Sequence, residues 1–457
     1  MTVPARAGDE LPVSPAPASR VRWQLLGLMF LLSMVTYLDR INISIAAKPM
    51  MAAYHLTDVE MGKIFSAFIL AYGLFQVPGG WLGDRFGPRL VLTGAIAWWS
   101  LFTALTAATV ALVPVSVIPA VWSLIIVRFC FGAGEAAAWP CFNRTIANWM
   151  SPEERGFATS MPLAGGGLGA AITPPFIAWV MVKYGWEQSF YIAALIGLVA
   201  AAVWFWQVRD TPEAHPRVND AELRVIRASS GAAPGQRREV GSRGVRTPWR
   251  AILTDRTPWL LFASAATCGY LVYIYMTWFY TFLLEERHLT PLSGSLYTIG
   301  PFLAMAILSP LGGVLSDAAA RRFGIRFGRR IVSMGGMLVS GASLVLGLVV
   351  SDIRVAILGL SLGAGAIYFA LSAHWATTID VSREHAGTVS GVMNWGGNMG
   401  GMVSPILTPI LVRRWGWTPA LGIAAVLIWC GALLWLFINA ERPLRVTDNA
   451  HAVAKTL

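Results

Sequence analysis

The chain has 457 residues, of which 56% are hydrophobic and 13% charged. Soluble globular domains carry about 25% charged residues, so the composition excludes an ordinary soluble enzyme or binding module and points to lipid as the main solvent. The formal charge of +11 does not argue for a nucleic-acid partner, because the basic residues sit between apolar runs, where a membrane topology signal belongs. Acidic lipid headgroups are the fitting counter-charge.

Residues 1–21 are rich in Pro, Ala and Ser and read as a disordered cytoplasmic tail. No basic segment leads to a cleavable apolar core there, so Trp23 onward reads as a permanent helix rather than a signal peptide. Apolar runs of about 20 residues, long enough to cross a core of about 30 Å, then recur along the chain. They predict an all-α membrane protein with twelve transmembrane helices at 22–44, 60–82, 89–110, 115–140, 155–182, 188–207, 257–284, 291–316, 330–350, 354–380, 386–411 and 417–438. The Gly, Pro and Ser inside these runs are tolerated in lipid because neighbouring helices satisfy the freed backbone groups. The Pro-, Gly- and Arg-rich stretch 208–256 reads as a flexible cytoplasmic linker between bundles 22–207 and 257–438. Residues 439–457 form a second tail.

An even number of spans puts both termini on one side. That side collects 26 of the 35 Lys and Arg; the other holds Lys48, Lys63, Lys183, Arg287, Arg354, Arg413 and Arg414. The bias places both termini in the cytoplasm. Arg40 and Arg128 remain inside the membrane.

The two bundles repeat one another. At an offset of 233, His55-Leu56-Thr57 recurs as His288-Leu289-Thr290, and Gly79-Gly80 with Asp84 recurs as Gly312-Gly313 with Asp317. At 231, Gly132-Ala133-Gly134 recurs as Gly363-Ala364-Gly365, and Ser151, Glu153 and Gly156 recur as Ser382, Glu384 and Gly387. Gly185-Trp186 recurs as Gly416-Trp417 at the same offset. Duplicated six-helix units related by an axis along the membrane normal are a transporter architecture, with the substrate site at mid-depth between the halves.

The repeat also exposes what is not shared. Asp39 and Arg40 align with Val272 and Tyr273, Arg128 with Gly359, and Glu135 with Ala366. A charge at mid-bilayer costs about 2.5–3.5 kcal/mol, so it faces a cavity or a partner. The twin half shows that the scaffold does not need these four. Arg128 and Glu135, seven apart, share a helix face about 10.5 Å apart along the axis, whereas the neighbours Asp39 and Arg40 point about 100° apart. A guanidinium suits a carboxylate because its planar donors bind both oxygens. An anion that takes over the arginine leaves the acid without its counter-charge, so anion and proton favour each other's binding.

Other polar residues admit two readings. Tyr273 and Tyr275 belong to an aromatic cluster, with Tyr270 and Trp278, that serves packing, an interfacial belt or substrate contact. His374, beside Trp375, is a packed neutral ring, or else a proton relay or substrate-binding residue. Asn394 and Asn398, four apart, either hydrogen-bond substrate or join helices. Asp84, Arg85, Arg89 and Asp317, at cytoplasmic helix ends, fit ion pairs that break and form as the halves rock. Cys130, Cys141, Cys268 and Cys430 are far apart with no metal spacing and read as packing residues. The sequence has no metal-binding or nucleophile motif, so no cofactor or metal is expected, and no enzyme.

The run Gly79-Gly80-Trp81-Leu82-Gly83-Asp84-Arg85-Phe86-Gly87-Pro88-Arg89 resembles the loop signature of the major facilitator superfamily. Tyr37-Leu38-Asp39-Arg40-Ile41-Asn42-Ile43-Ser44 is similar to the first helix of its anion:cation symporter family. Arg128-Phe129 through Gly134-Glu135-Ala136, with Trp149 and Glu154-Arg155-Gly156, is similar to that family's fourth helix and following loop. The resemblance implies the major facilitator fold and proton-coupled uptake of a small organic anion such as a hexuronate, aldonate or glucarate. Uptake of an aromatic or dicarboxylic acid, or uncoupled exchange, is the alternative. It implies Asp39 and Glu135 as proton carriers, Arg40 and Arg128 as carboxylate ligands, and Tyr37, Tyr72, Trp375 and Asn394 as lining. The implied partners are a small carboxylate, protons and membrane lipid, in a monomer of the bacterial inner membrane.

Overall fold

The structure is a computed structural model that describes residues 17–112, 119–228, 249–289, 291–442 and 444. The N-terminal tail through 16, the linker's middle at 229–248 and the C-terminal tail beyond 444 lie outside the described residues. In chain order the first half holds α1 (Val21–Ile45), α2 (Ala47–Tyr54), α3 (Asp58–Phe86), α4 (Pro88–Leu112), α5 (Ala120–Glu135), α6 (Ala138–Trp149), α7 (Arg155–Tyr184) and α8 (Trp186–Gln207). The connecting segment carries α9 (Asp220–Ala228) and α10 (Trp249–Thr254). The second half holds α11 (Arg256–Thr277), α12 (Phe279–Glu285), α13 (Pro291–Phe323), α14 (Ile325–Val349), α15 (Ile353–Val381), α16 (Ala386–Trp415) and α17 (Trp417–Leu433).

Among the described residues, eleven stretches are long and apolar enough to cross a bilayer, α5 and α6 together forming one of them. At 30 residues, α16 matches them in length. It packs between the halves, against α3, α6 and α11. With it, the expected twelve long helices are present.

The halves share their internal packing. α1 lies on α7 as α11 lies on α16, α3 on α5 as α13 on α15, and α4 on α8 as α14 on α17. Backbone geometry repeats too: His55 and His288 both adopt φ 52°, the only left-handed non-glycine residues among those described. Two pairs of helices meet more tightly than the apolar pattern predicts. α3 continues to Phe86 and α13 to Phe323, each meeting the next helix across one glycine, Gly87 (φ 86°) or Gly324 (φ 82°). A residue without Cβ takes that conformation freely, so the chain reverses without a loop.

Between the halves, α7 crosses α13 and α3 crosses α16. The crossings are glycine on glycine. A Cβ on Gly80 would stand 2.2 Å from the Gly387 carbonyl oxygen, and one on Gly313 would stand 2.3 Å from that of Gly156. These are matching positions in the repeat, and they bring backbones as close as sterics permit.

Residues 208–228, the first described part of the segment expected to be a flexible linker, are tied to the first half. The Asp210 carboxylate accepts the Arg89 amide at 2.8 Å, at the start of α4. Buried Glu222 on α9 accepts the amides of Val21 (3.2 Å) and Arg22 (3.1 Å), at the start of α1. Each carboxylate satisfies N–H groups that a helix start leaves open.

Candidate functional site

The four charges peculiar to the first half converge. Arg40 Nε on α1 donates to Glu135 Oε1 at 2.5 Å. Glu135 is the last residue of α5, just before the two-residue break that separates it from α6, and is fully buried. The Arg40 guanidinium lies 4.3 Å from the Tyr72 ring centroid, with Tyr37 and Phe68 within 5.5 Å. Such stacking suits a delocalised cation taken out of water. Asp39 faces the bundle interior, 1% exposed, and accepts from Thr103 Oγ1 at 3.3 Å. Arg128, 2% exposed, stacks on Phe131 (4.2 Å) and Phe68 (5.2 Å). No carboxylate lies within 4.0 Å of its guanidinium among the described residues.

Each of the four charges leaves a buried atom without a hydrogen-bond partner among the described residues: Asp39 Oδ2, Arg40 Nη2, Arg128 Nε and Glu135 Oε2. An unsatisfied buried polar atom costs about 1–3 kcal/mol, more when charged. Four together mark a place where further polar groups belong.

The second half faces this cluster with aromatic and amide groups. Tyr37 and Tyr368 bring their hydroxyls to 3.5 Å across the two halves. Trp375 stands over Trp139 with ring centroids 5.5 Å apart. Asn394 Nδ2 donates to Gln76 Oε1 at 2.9 Å, another bond between the halves. Tyr273 packs on Gly401, where a Cβ would meet its ring at 2.4 Å. Gln76, Tyr368, Trp139 and Thr103 were not singled out from the sequence. A signal existed for Gln76: Phe68, Tyr72 and Gln76 are four apart on one face of α3.

Three further expected site residues make their bonds within the second half. His374 is fully buried among α11, α14 and the end of the chain's last helical stretch. Its Nε2 receives the Trp435 indole N–H at 3.2 Å, and an indole is a donor only. The same indole N–H lies 3.1 Å from Ser264 Oγ, and Nδ1 lies 3.0 Å from the Ala370 carbonyl oxygen, contacts that fit a neutral ring. The ring packs within the second half, away from the four charges. Tyr275 donates its hydroxyl to the Leu360 carbonyl at 2.8 Å within its own half. Asn398 spends Nδ2 on the Asn394 carbonyl of its own helix at 2.8 Å.

The gating expectation is corrected in its partners. Asp84 accepts the amides of Gly387 (3.0 Å) and Thr388 (2.7 Å) and the Thr388 hydroxyl (2.6 Å), at the start of α16. Its nearest cation is Arg144, at 3.6 Å, not Arg85 or Arg89. Arg85 stacks on Trp81 and Phe86 at the edge, and Arg89 Nε donates to the Phe205 carbonyl at 2.9 Å. Arg85, the next residue after Asp84 on α3, points about 100° away from it around the helix, and Arg89 lies beyond the Gly87 reversal, on α4. Asp317 accepts the amides of Gly156 (2.7 Å) and Phe157 (2.8 Å), at the start of α7, and pairs with Arg329 at 2.8 Å. Fully buried Arg329 also pairs with Asp380 at 3.0 Å, and Asp380 with Arg155 at 2.6 Å. These contacts close the molecule at the end where α1 begins, since Glu154, next to Arg155, pairs with Arg22 at 3.1 Å.

Comparison with known proteins agrees with this architecture. Residues 29–323 and 282–456 match the sequence profile of the Major Facilitator Superfamily. The chain is 32% identical over 432 residues to the "Probable sulfoacetate transporter SauU" of Cupriavidus necator, covering 94% of this chain and 96% of that protein. It is 30% identical to the "Probable galactarate/D-glucarate transporter GudP" of Bacillus subtilis, covering 89% of this chain and 90% of that one. The solved proton:xylose symporter XylE superposes with a TM-score of 0.72 over 94% of this chain and 98% of that one, at 17% identity, a likeness of fold. Matched along nearly its whole length, and with two six-helix halves crossing at paired glycines, this chain belongs to the major facilitator superfamily of membrane transporters and is not an enzyme.

Proposed function

We propose that this transporter carries a small organic anion across the bacterial inner membrane together with protons, by alternating access. The observation that carries the reading is the set of orphaned buried atoms on Asp39, Arg40, Arg128 and Glu135. Arg128 has no ion pair of its own among the described residues, so a carboxylate or sulfonate satisfies it best. Arg40 is held by Glu135. An anion that draws Arg40 away leaves Glu135 in an apolar surround without its cation, and the acid then takes up a proton. By linkage the proton in turn favours the anion. Asp39 supplies a second protonatable group. Tyr37, Tyr72, Tyr273, Trp375, Gln76 and Asn394 shape the site and offer hydrogen bonds to substrate oxygens.

The cluster's net charge, two acids against two arginines, rises when the acids are protonated, which fits a mono- or dianion. The named substrates of the relatives, galactarate, D-glucarate and sulfoacetate, are all small acids. The cytoplasmic placement of both termini rests on the arginine bias.

The test is uptake of labelled galactarate, glucarate, galactonate, a hexuronate and sulfoacetate into proteoliposomes, with and without an inside-alkaline pH gradient. Accumulation of one acid above equilibrium, driven by the gradient, is expected. Uptake indifferent to the gradient overturns the coupling, and failure of every acid overturns the anion reading. Exchange without proton coupling is the second reading, and counterflow without gradient-driven uptake identifies it.

A further inference from the structure

A groove of about 130 Å³ lies between α1 and α7, lined by Met34, Val35, Leu38, Ile172, Thr173 and Phe176, with Gly169 at its floor. It plays no part in the site above. At about 100° per residue, Leu38 points about 160° away from Arg40 around α1, so the groove opens on the outer side of the bundle. Ile172, 47% exposed, stands at its rim. The one hydroxyl in the lining, on Thr173, is spent on the Gly169 carbonyl at 2.7 Å. The groove therefore offers carbon and sulfur surface only, and in a membrane its neighbour is an acyl chain.

The same helix shows which lipid. Ile172, Phe176, Trp179 and Lys183 follow at intervals of four, three and four, one stripe down the outer face of α7. Lys183 lies about 16 Å beyond Ile172 along the axis, which is half of a core of about 30 Å. It is exposed and flanked by the rings of Trp179 (5.4 Å) and Tyr184 (5.1 Å). No carboxylate lies within 4.0 Å of its ammonium among the described residues. An ammonium between two interfacial aromatics sits at headgroup level. Groove and cation are thus separated by the depth of one leaflet.

We propose that this stripe binds one anionic phospholipid of the leaflet opposite the termini, its phosphate on Lys183 and the end of one acyl chain in the groove. The chain end fills the space between Leu38 and Thr173, directly behind the α1 turn that carries Asp39 and Arg40.

Native mass spectrometry of delipidated protein titrated with dioleoylphosphatidylglycerol or dioleoylphosphatidylcholine tests this. The first phosphatidylglycerol is expected to bind about five-fold more tightly, the effect of one basic residue at a membrane surface. Lys183→Gln is expected to abolish the difference, and Ile172→Trp, which fills the groove from its exposed rim, to weaken both lipids. Equal affinities in the unmodified protein, or a preference that survives Lys183→Gln, overturn the proposal. Should Ile172→Trp fail to fold, labelling decides the groove. In vesicles of phosphatidylcholine with phosphatidylglycerol, the latter carrying a diazirine at its chain end, label is expected within residues 34–38 or 169–176. Label absent from both overturns it.

Discussion

Asp84 and Asp317, matching positions of the two halves, each hold the first turn of a helix that belongs to the opposite half. A carboxylate on the open amides of a helix start is a charge-assisted contact, strong when dry and lost when water enters. Two of them, related by the internal repeat and placed beside glycine-on-glycine crossings, make one end of the transporter a pair of latches. The second is reinforced by buried Arg329 and, through Asp380, by Arg155.

Asp84→Asn and Asp317→Asn are each expected to weaken the closed arrangement by about 1–3 kcal/mol, a shift of roughly five- to 150-fold. Asp317→Asn should act more strongly, because it also takes one carboxylate from fully buried Arg329. Spin labels at exposed Glu153 and Glu384 would read the opening as a longer distance. An unchanged distance distribution in Asp317→Asn refutes the latch.

Glu135→Gln removes the carboxylate that holds Arg40. Gradient-driven uptake should vanish while counterflow of the substrate persists, since exchange needs no net proton movement. Intact uphill uptake in this variant removes Glu135 from the coupling.

The Gln76–Asn394 bond joins the halves at the level of Tyr72. Gln76→Leu and Asn394→Leu should couple by about 0.5–1.5 kcal/mol in a double-mutant cycle on apparent substrate affinity. Additive effects would mean that the two amides act separately.

His374→Ala deletes a ring bonded to Ser264, Ala370 and Trp435. The expected loss is about 2–4 kcal/mol of stability, from unpaired partners and a cavity. Where the variant folds, its substrate KM should stay within about two-fold. A large KM change at preserved thermal stability would return His374 to the site.

His385 precedes α16, next to the Asp84 latch, with Asp84, Arg144 and Glu384 as its charged neighbours. Burial holds its pKa below the ordinary 6.5, and Arg144 acts in the same direction while Asp84 opposes it. The closed end therefore excludes a proton that an open, hydrated His385 accepts. Closure is fully favoured above pH 6.5 and weakens as pH falls below it. Label distances across this end between pH 7.5 and 5.5 should lengthen, and His385→Gln should flatten the response.

Much of the architecture was already legible in the chain. Segment hydropathy depends on local composition alone, so the runs of apolar residues gave away the spans whatever their partners. The offset matches at His55 and His288 marked a duplication, and the structure repeats even their φ angles. Charge without a counterpart in the twin half singled out Asp39, Arg40, Arg128 and Glu135, because lipid penalises a charge that has no task.

What only the tertiary structure decided was which group meets which. Spacing along a helix fixes the face a residue occupies but not what stands opposite it. His374 and Trp375 are adjacent in sequence, yet one packs inside its own half and the other meets Trp139 of the first half. Arg85 beside Asp84 looked like its partner, whereas Asp84 reaches backbone amides some 300 residues away. Arg329 falls between the expected spans 291–316 and 330–350, yet carboxylates of α13 and α15 hold it in the interior. Hydropathy is a property of each segment, while pairing is a property of the closed bundle, and alternating access is a change in the pairing.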